Sequence, residues 1–261
     1  MNLGESPYAF GGVSDIGYAR EVNEDYINVV ELSEDVLFSI VADGMGSLPG
    51  ALQPAAIAVN EITQFVKRTY ETDSNMFLDN PSIFLSLAIH TANRVLGGFK
   101  HGNEELYSGF GACLTCCLLY ENTKMCYVHA GNTRLYLIRS ARDGAPNIFQ
   151  LTADHTKAQA LVDNGTITLE QYHVHPDRLT YTSGVGVVAE PLIQVYEGSL
   201  RHKDILLLTT DGIHYAVRPQ AIADIVMASD NCDIAASGLV QAGKMLKYID
   251  NMSAVVIFVR P

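Results

Sequence analysis

Positive charge is scarce in this sequence. Its 261 residues include 17 Lys and Arg against 29 Asp and Glu, which gives a formal net charge of -12 at pH 7. Contacts to nucleic acid or to an anionic membrane rely on clustered Lys and Arg, so this balance argues against both kinds of partner. An acidic excess is also what a cation-binding protein shows, although many other proteins share it.

Secretory and membrane-spanning signals are also missing. The stretch MNLGESPYAF has neither a basic start nor an apolar core, and no uninterrupted apolar run approaches the roughly 20 residues that cross a bilayer. Five cysteines, an odd number, lie in apolar settings, and Cys113, Cys116 and Cys117 share the run GACLTCCLLY. Because adjacent strand residues point to opposite faces, this run predicts a buried strand with reduced thiols and not a zinc site. We expect a cytoplasmic protein.

No repeat, linker or low-complexity segment divides the chain, and its 48% hydrophobic residues are typical of a globular protein. Apolar residues at helical spacing predict helices in four segments, 51–71, 81–99, 157–165 and 218–249. Within the second segment, Pro81 indicates a helix start and Gly97-Gly98 a helix end. Strands flank these grouped helices, an order that favours antiparallel sheets. We expect one α+β domain, residues 1–261.

One apolar run, VLFSIVADGMG, gives the first indication of chemistry. Its β-prone residues predict a buried strand that stops at Asp43-Gly44, and the run DILLLTTDGI repeats this shape and stops at Asp211. Asp250 directly precedes the last strand. Each of these residues alone is more typical of a turn or a cap.

A further acidic pair, Glu24 and Asp25, lies in the segment REVNED, which also contains Arg20. Alone, the pair is most often a solvated loop and the arginine a surface charge. Together with the acids at the strand ends, however, they place several carboxylates at the rim of an apolar core. Hard divalent cations prefer oxygen ligands and compensate partly buried anions, so the combination predicts a metal site.

The order of these motifs resembles the metal-dependent protein phosphatase family, the protein phosphatase 2C-like enzymes. The motifs are R-x-x-x-E-D, V-A-D-G-M-G, G-x-x-R, L-T-x-D-H-T, L-L-T-T-D-G-I and D-N-M-S-A-V-V, and they extend over nearly the whole chain. The resemblance implies an αββα sandwich, in which α-helices flank two packed antiparallel β-sheets. It also implies two manganese or magnesium ions in a cleft between the sheets.

The resemblance further implies a role for each site residue. The implied metal ligands are Glu24, Asp43, the carbonyl of Gly44, Asp211 and Asp250. Asp43 would bridge the two ions, Asp25 would order the attacking water, and Arg20 would bind the substrate phosphate, for which its planar fork is suited. The implied reaction is hydrolysis of phosphoserine or phosphothreonine by a water activated between the two cations. The implied partner is a phosphorylated protein, with a serine/threonine kinase acting in opposition, and we expect a monomer.

The sequence departs from the family's pattern in three places. Asn132, in AGNTR, and Tyr215, after the TDG motif, stand where the family has Asp. Those two acids help to bind a third, weaker metal ion in the family, so we expect that site to be absent or very weak and the activity to be reduced. The loop after DGMG reads Ser47, Leu48, Pro49 and lacks a histidine that is proposed as the general acid in some relatives.

Two main interpretations therefore stay open. The first is a two-metal serine/threonine phosphatase, and the second is a pseudophosphatase that binds phosphorylated partners as a regulatory module. A phosphatase of small phosphoesters is a third. His155 and His214 are candidates to replace the missing histidine, although we expect both to be structural. We expect the polar segment 156–190 to form a variable flap. Its stretch HVHPDRLTY could bring His173 and His175 to the cleft, although the composition of that stretch is more typical of a solvated loop.

Overall fold

Two antiparallel sheets form the centre of the protein. The computed structural model describes residues 6–46, 53–102, 105, 107, 109–141 and 144–260. The first sheet has the strand order β1 (Tyr8–Asp15), β10 (Met252–Val259), β9 (Ile205–Thr209), β6 (Arg134–Ser140) and β7 (Pro146–Gln150). The second has the order β2 (Asp25–Ser33), β3 (Val36–Met45), β4 (Gly111–Tyr120), β5 (Lys124–Ala130) and β8 (Gln194–Ser199).

Helices cover the outer face of each sheet. The second sheet is covered by α1 (Pro54–Thr72), α2 (Ser74–Asp79) and α3 (Pro81–Lys100), and the first by α7 (Pro219–Met227) and α8 (Cys232–Met245). Shorter helices lie in connections: α4 (Lys157–Asp163), α5 (Leu169–Tyr172), a 3-10 helix (Pro176–Leu179) and α6 (Asp211–His214). Among the helices of the described residues, none combines the length and the apolar character that crossing a bilayer requires.

Strand β3 shows how the sequence builds the layers. Leu37 and Val41 belong to the apolar cluster between the two sheets, whereas Phe38, Ile40 and Ala42 belong to the cluster under α1 and α3. Strand side chains alternate between the two faces of a sheet, so an almost continuous apolar run is what a sheet buried on both faces requires. The predicted αββα sandwich is confirmed.

The predicted buried strand with free thiols is also confirmed. Cys113, Cys116 and Cys117 lie on β4, where every residue is buried. All five cysteines are free. Cys116 faces the helices and Cys117 faces the other sheet, so the two thiols point in opposite directions, as the strand geometry requires.

Three predicted boundaries were wrong. Strand β3 does not stop at Asp43, because its ladder with β4 continues through Gly44 and Met45. The helical segment 218–249 is two helices, and the side chain of Asn231 caps the second by accepting a hydrogen bond from Ile234 N at 2.9 Å. Helix α3 passes through Gly97-Gly98 and ends at Lys100.

Tertiary packing explains the longer helix α3. Leu96 is fully buried in the cluster that α3 shares with the second sheet. One turn later, Phe99 contacts the rings of Tyr107 and Phe110, with centroid distances of 6.5 and 5.9 Å. These contacts offset the roughly 1 kcal/mol that each helical glycine costs relative to alanine.

A substitution tests this account. No atom lies within 4 Å of a Cβ built on Gly98, so Gly98→Ala should raise the free energy of unfolding by about 0.5–1 kcal/mol. Urea denaturation measures the change. Gly131→Ala is the matched control and should destabilise, because Gly131 has a φ of 112° and its Cβ would lie 2.3 Å from Cys113 Sγ. A loss of stability in Gly98→Ala would contradict a continuous helix at this position.

Candidate metal centre

Carboxylates from both sheets meet at one end of the sandwich. Asp25, the first residue of β2, pairs directly with Asp43 on β3. Asp211 begins α6 immediately after β9, and Asp250 lies in the connection before β10. Asp25 and Asp211 are only 4% and 3% exposed, which is rare for carboxylates.

Hydroxyl groups of the first sheet hold Asp25 of the second. Thr210 Oγ1 and Ser253 Oγ donate hydrogen bonds to Asp25 Oδ2 at 2.7 and 2.8 Å. Thr210 Oγ1 also accepts a bond from Ser253 N at 3.0 Å, which fixes its position. These bonds tie the two sheets together at the candidate site and give the Asp25 carboxylate one orientation.

Close backbone contact fixes the position of Gly44 and Glu24. Gly44 N donates to Glu24 O at 3.2 Å, and a Cβ on Gly44 would lie 2.6 Å from that oxygen. Any side chain larger than hydrogen would therefore force the two segments apart. The requirement for glycine brings the backbone at residue 44 directly beside the acidic pair 24–25.

Asn251 holds the loop that carries Arg20, a role that sequence reasoning missed. Its side chain accepts a hydrogen bond from Glu24 N at 2.9 Å and donates to the carbonyls of Ile16 and Val22 at 2.8 and 3.0 Å. The sequence offered only an Asp-Asn turn signal at this position. The signal that could have found it is an amide, able to donate and accept at once, next to a candidate ligand.

The carboxylates raise one another's pKa values. Burial and repulsion from Asp211 and Asp250 raise the pKa of Asp25 to about 7, against the opposing hydrogen bonds from Thr210 and Ser253. Burial and the charge of Asp250 raise the pKa of Asp211 to about 7. Burial and the charges of Asp211 and Asp25 also raise the pKa of Asp43 well above its ordinary value. Such a cluster suits divalent cations, because its carboxylates can all be ionised at the same time only when positive charge is added.

Two of the acids are engaged by neighbouring side chains. Arg20 Nη2 lies 2.8 Å from Asp250 Oδ1, and Asn132 Nδ2 donates to Asp211 Oδ2 at 3.1 Å. Within the described part of the chain, no three Asp, Glu, His or Cys side chains form a ready group of metal ligands. The side chains of the Arg20–Asp250 pair are 45% and 27% exposed, so solvent screens the pair and it contributes little stability.

Asn132 is a sensitive position beside Asp211. It is fully buried, and its Oδ1 has no hydrogen-bond partner among the described residues. A buried acceptor without a donor is costly, so this atom marks a place for a water molecule or a cation next to Asp211. An Asp at this position could not donate to Asp211, whereas the amide does.

Tyr215 points to the segment that we expected to form the flap. Its hydroxyl lies 3.0 Å from the hydroxyl of Tyr172 and 3.3 Å from the carbonyl oxygen of Arg178. Tyr172 donates to Asp154, which forms a buried bidentate ion pair with Arg134 at 2.9 and 2.8 Å. Tyr215 therefore links the segment to the core.

The two candidate histidines are both built into the core. His155 Nδ1 accepts a hydrogen bond from Gly131 N at 3.2 Å, and His214 Nδ1 lies 2.9 Å from Thr209 Oγ1. Burial lowers the pKa of each ring, so both are neutral at physiological pH. His173 and His175 lie at the end of α5 and before the 3-10 helix. Ser47, Leu48 and Pro49 lie outside the described residues.

Comparison with known proteins decides the family. Residues 18–241 match the family model described as protein phosphatase 2C. The chain belongs to this family. The protein phosphatase PhpP of Streptococcus pneumoniae strain D39 is 26% identical over 259 residues, which cover 94% of this chain and 95% of that protein. The family expected from the motifs is confirmed.

Solved structures agree with this assignment. The serine/threonine phosphatase PstP/Ppp of Mycobacterium tuberculosis has a TM-score of 0.82 at 24% identity and covers 97% of this chain and 99% of that one. The catalytic domain of PstP in complex with two manganese ions has a TM-score of 0.75 at 25% identity and covers 97% and 99%. The first likeness concerns the fold alone.

Removing one charge from the cluster tests its electrostatics. Asp43→Asn should raise the free energy of unfolding of the metal-free protein by about 1 kcal/mol or more at neutral pH. The amide has nearly the shape of the carboxylate but lacks the charge that the neighbouring acids repel. The variant should also lose most of the increase in Tm that manganese produces in the wild type. Thermal melts with chelator and with manganese measure both effects. Asp79→Asn, an exposed acid on α2, is the control, and a metal-free Asp43→Asn protein less stable than wild type would contradict the repulsion.

A second substitution tests the link through Tyr215. Tyr215→Phe removes the hydroxyl that contacts Tyr172 and Arg178 and should lower the free energy of local opening of this segment by about 0.5–1.5 kcal/mol. Hydrogen exchange of residues 169–179 measures the opening. Tyr196→Phe on β8 is the control, and equal protection in both variants would show that the hydroxyl contributes nothing to the link.

Proposed function

We propose that the chain is a metal-dependent serine/threonine protein phosphatase that hydrolyses phosphoserine and phosphothreonine in proteins. The observation that carries this proposal is the cluster formed by Asp25, Asp43 and Asp211. Their pKa values are raised, and bound cations would stabilise their ionised forms. Family membership and the relatives, which include proteins named serine/threonine phosphatases, support it. The acids that the motifs imply as metal ligands are all present.

Each residue of the site has its own role in the proposed hydrolysis. Asp43, Glu24, the Gly44 carbonyl, Asp211 and Asp250 would together hold two cations, manganese or magnesium. When bound, the cations supply Lewis-acid chemistry at the phosphate and make a water nucleophilic near neutral pH. Asp25, oriented by Thr210 and Ser253, would align the attacking water.

Arg20 would bind the phosphoryl group of the substrate. Its guanidinium presents a planar fork of donors that matches phosphate oxygens. In the structure it pairs with Asp250 at 2.8 Å, and both side chains are partly exposed, so the contact is weak. Asp250 would hold a cation, and Arg20 would contact the substrate and stabilise charge on its phosphoryl oxygens.

Segment 156–190 would act as a flap beside the site. Within it Thr156 pairs with Tyr181, and Val185 pairs with Ala112 of β4. Burial and the nearby charges of Asp211 and Asp43 raise the pKa of Tyr181, which supports a position beside the carboxylate cluster. We also propose a single catalytic domain over residues 1–261.

The proposal extends to the setting of the protein. The partner is a phosphorylated protein substrate, with a serine/threonine kinase acting in opposition. The net charge of -12 supports a protein without nucleic-acid or membrane partners. We further propose a monomer located in the cytoplasm, where the buried free thiols stay reduced.

The alternative is a pseudophosphatase that binds phosphorylated partners. Asn132 adds no charge beside Asp211, and Tyr215 bonds to the flap, so neither supplies the acid of a third metal site. These observations favour weak turnover. The complete set of core acids favours the enzyme.

Hydrolysis of a phosphothreonine peptide with manganese separates the two functions. The wild type should turn over the peptide, and chelator should stop the reaction. Removing a group that only orients a metal ligand lowers activity roughly 10- to 100-fold. Asp211→Asn should lower the activity by more than this, because it removes a ligand itself. Asp79→Asn should match the wild type. Folded, manganese-bound wild type without turnover would establish the pseudophosphatase.

A further inference from the structure

Exposed apolar side chains border the candidate site on two neighbouring segments. The first segment is the loop before Glu24, and the second runs from Met245, the last residue of α8, to Asp250. We name these side chains the apolar rim: Ile16, Tyr18, Val22, Met245, Leu246 and Ile249. Their exposed fractions run from 39% for Ile16 to 74% for Met245. Single exposed apolar residues are ordinary, whereas a contiguous group marks a binding surface.

Contacts at both ends of the second segment hold it beside the first. Asn251 donates to the carbonyls of Ile16 and Val22 at 2.8 and 3.0 Å. Lys244 Nζ lies 2.9 Å from Asp15 Oδ1, next to Ile16. The two segments therefore lie side by side.

Arg20 and Asp250 lie within these same two segments. Arg20 stands between Tyr18 and Val22, Asp250 follows Ile249, and the two charged groups are 2.8 Å apart. Under the proposed function, Arg20 binds the substrate phosphate. A polypeptide that places its phosphoryl group at Arg20 must then lay the residues on either side of the phosphorylated residue across the rim.

The charges beside the rim indicate which flanking residues fit. Lys244 is paired with Asp15 and Arg20 with Asp250. The exposed Glu21 and Lys247 also lie in these segments and carry opposite charges, so the charges beside the rim sum to zero. The chain as a whole carries a net charge of -12, which disfavours an acidic peptide. We propose that the apolar rim binds the apolar side chains that flank the phosphorylated residue of the protein substrate.

This inference rests on the proposed function and defines its substrate class as phosphoproteins with apolar residues next to the phosphorylated Ser or Thr. Binding of two or three such side chains removes apolar surface from water. We expect wild-type kcat/KM for a phosphothreonine peptide flanked by Leu and Val to exceed that for the same peptide flanked by Gly and Ser by about tenfold. A Glu-flanked peptide should be poorer still.

A matched pair of variants tests the location. Tyr18→Ser with Leu246→Ser removes one exposed side chain from each rim segment. Ile83→Ser with Leu87→Ser removes two apolar side chains of α3, which are 56% and 47% exposed. The ratio of kcat/KM for the apolar- and polar-flanked peptides should fall close to one in the first variant, through KM, and keep its wild-type value in the second. Using a ratio within each protein cancels any general loss of activity.

The outcomes separate the rim from the proposed function. Equal kcat/KM for both peptides in the wild type, or the same fall in both variants, would overturn the rim. Binding of a fluorescent Leu/Val-flanked phosphopeptide, followed by anisotropy, tests the rim without turnover. Binding that the rim variant alone loses supports the rim even if hydrolysis is absent, in which case the phosphatase proposal fails by itself.

Discussion

Repulsion among buried carboxylates is the constraint on which the site depends. Asp25 and Asp43 face each other across a strand pair, and Asp211 adds a third charge from the other sheet. Burial and mutual repulsion raise all three pKa values. An ordinary core would exclude this arrangement, since a buried anion needs compensation. The cluster therefore lowers the stability of the metal-free protein.

The surrounding fold can hold this cluster because its supports come from elements that are themselves fixed. Thr210 and Ser253 orient Asp25 from the ends of β9 and β10. Asn132 orients Asp211 from the end of β5, and Asn251 fixes the loop that carries Arg20. Apolar clusters on both sides of each sheet keep these strand ends in place. Orientation by hydroxyls and amides adds no charge to an already crowded site.

The positions that depart from the family's pattern have local structural roles here. Asn132 donates to Asp211, which a carboxylate could not do. Tyr215 connects Tyr172 and Arg178 to the buried Arg134–Asp154 pair. Tyr215 therefore holds the segment beside the site against the core through hydrogen bonds, at a position where the family's pattern has an acid.

The sequence by itself determined the layers, the family and the identity of the acids. The alternation of side chains along β3 and the short motifs depend only on neighbouring residues, so they can be recognised in the sequence. The ends of elements were less secure: packing of Leu96 and Phe99 carries α3 through Gly97-Gly98, and pairing with β4 carries β3 past Asp43. Only the tertiary structure decided that Asn251 bonds to Glu24, 227 positions away, that Thr210 bonds to Asp25, 185 positions away, and that Arg20 pairs with Asp250. Spacing along the chain carries no information about such contacts, because they form where the packing of two sheets brings distant segments together.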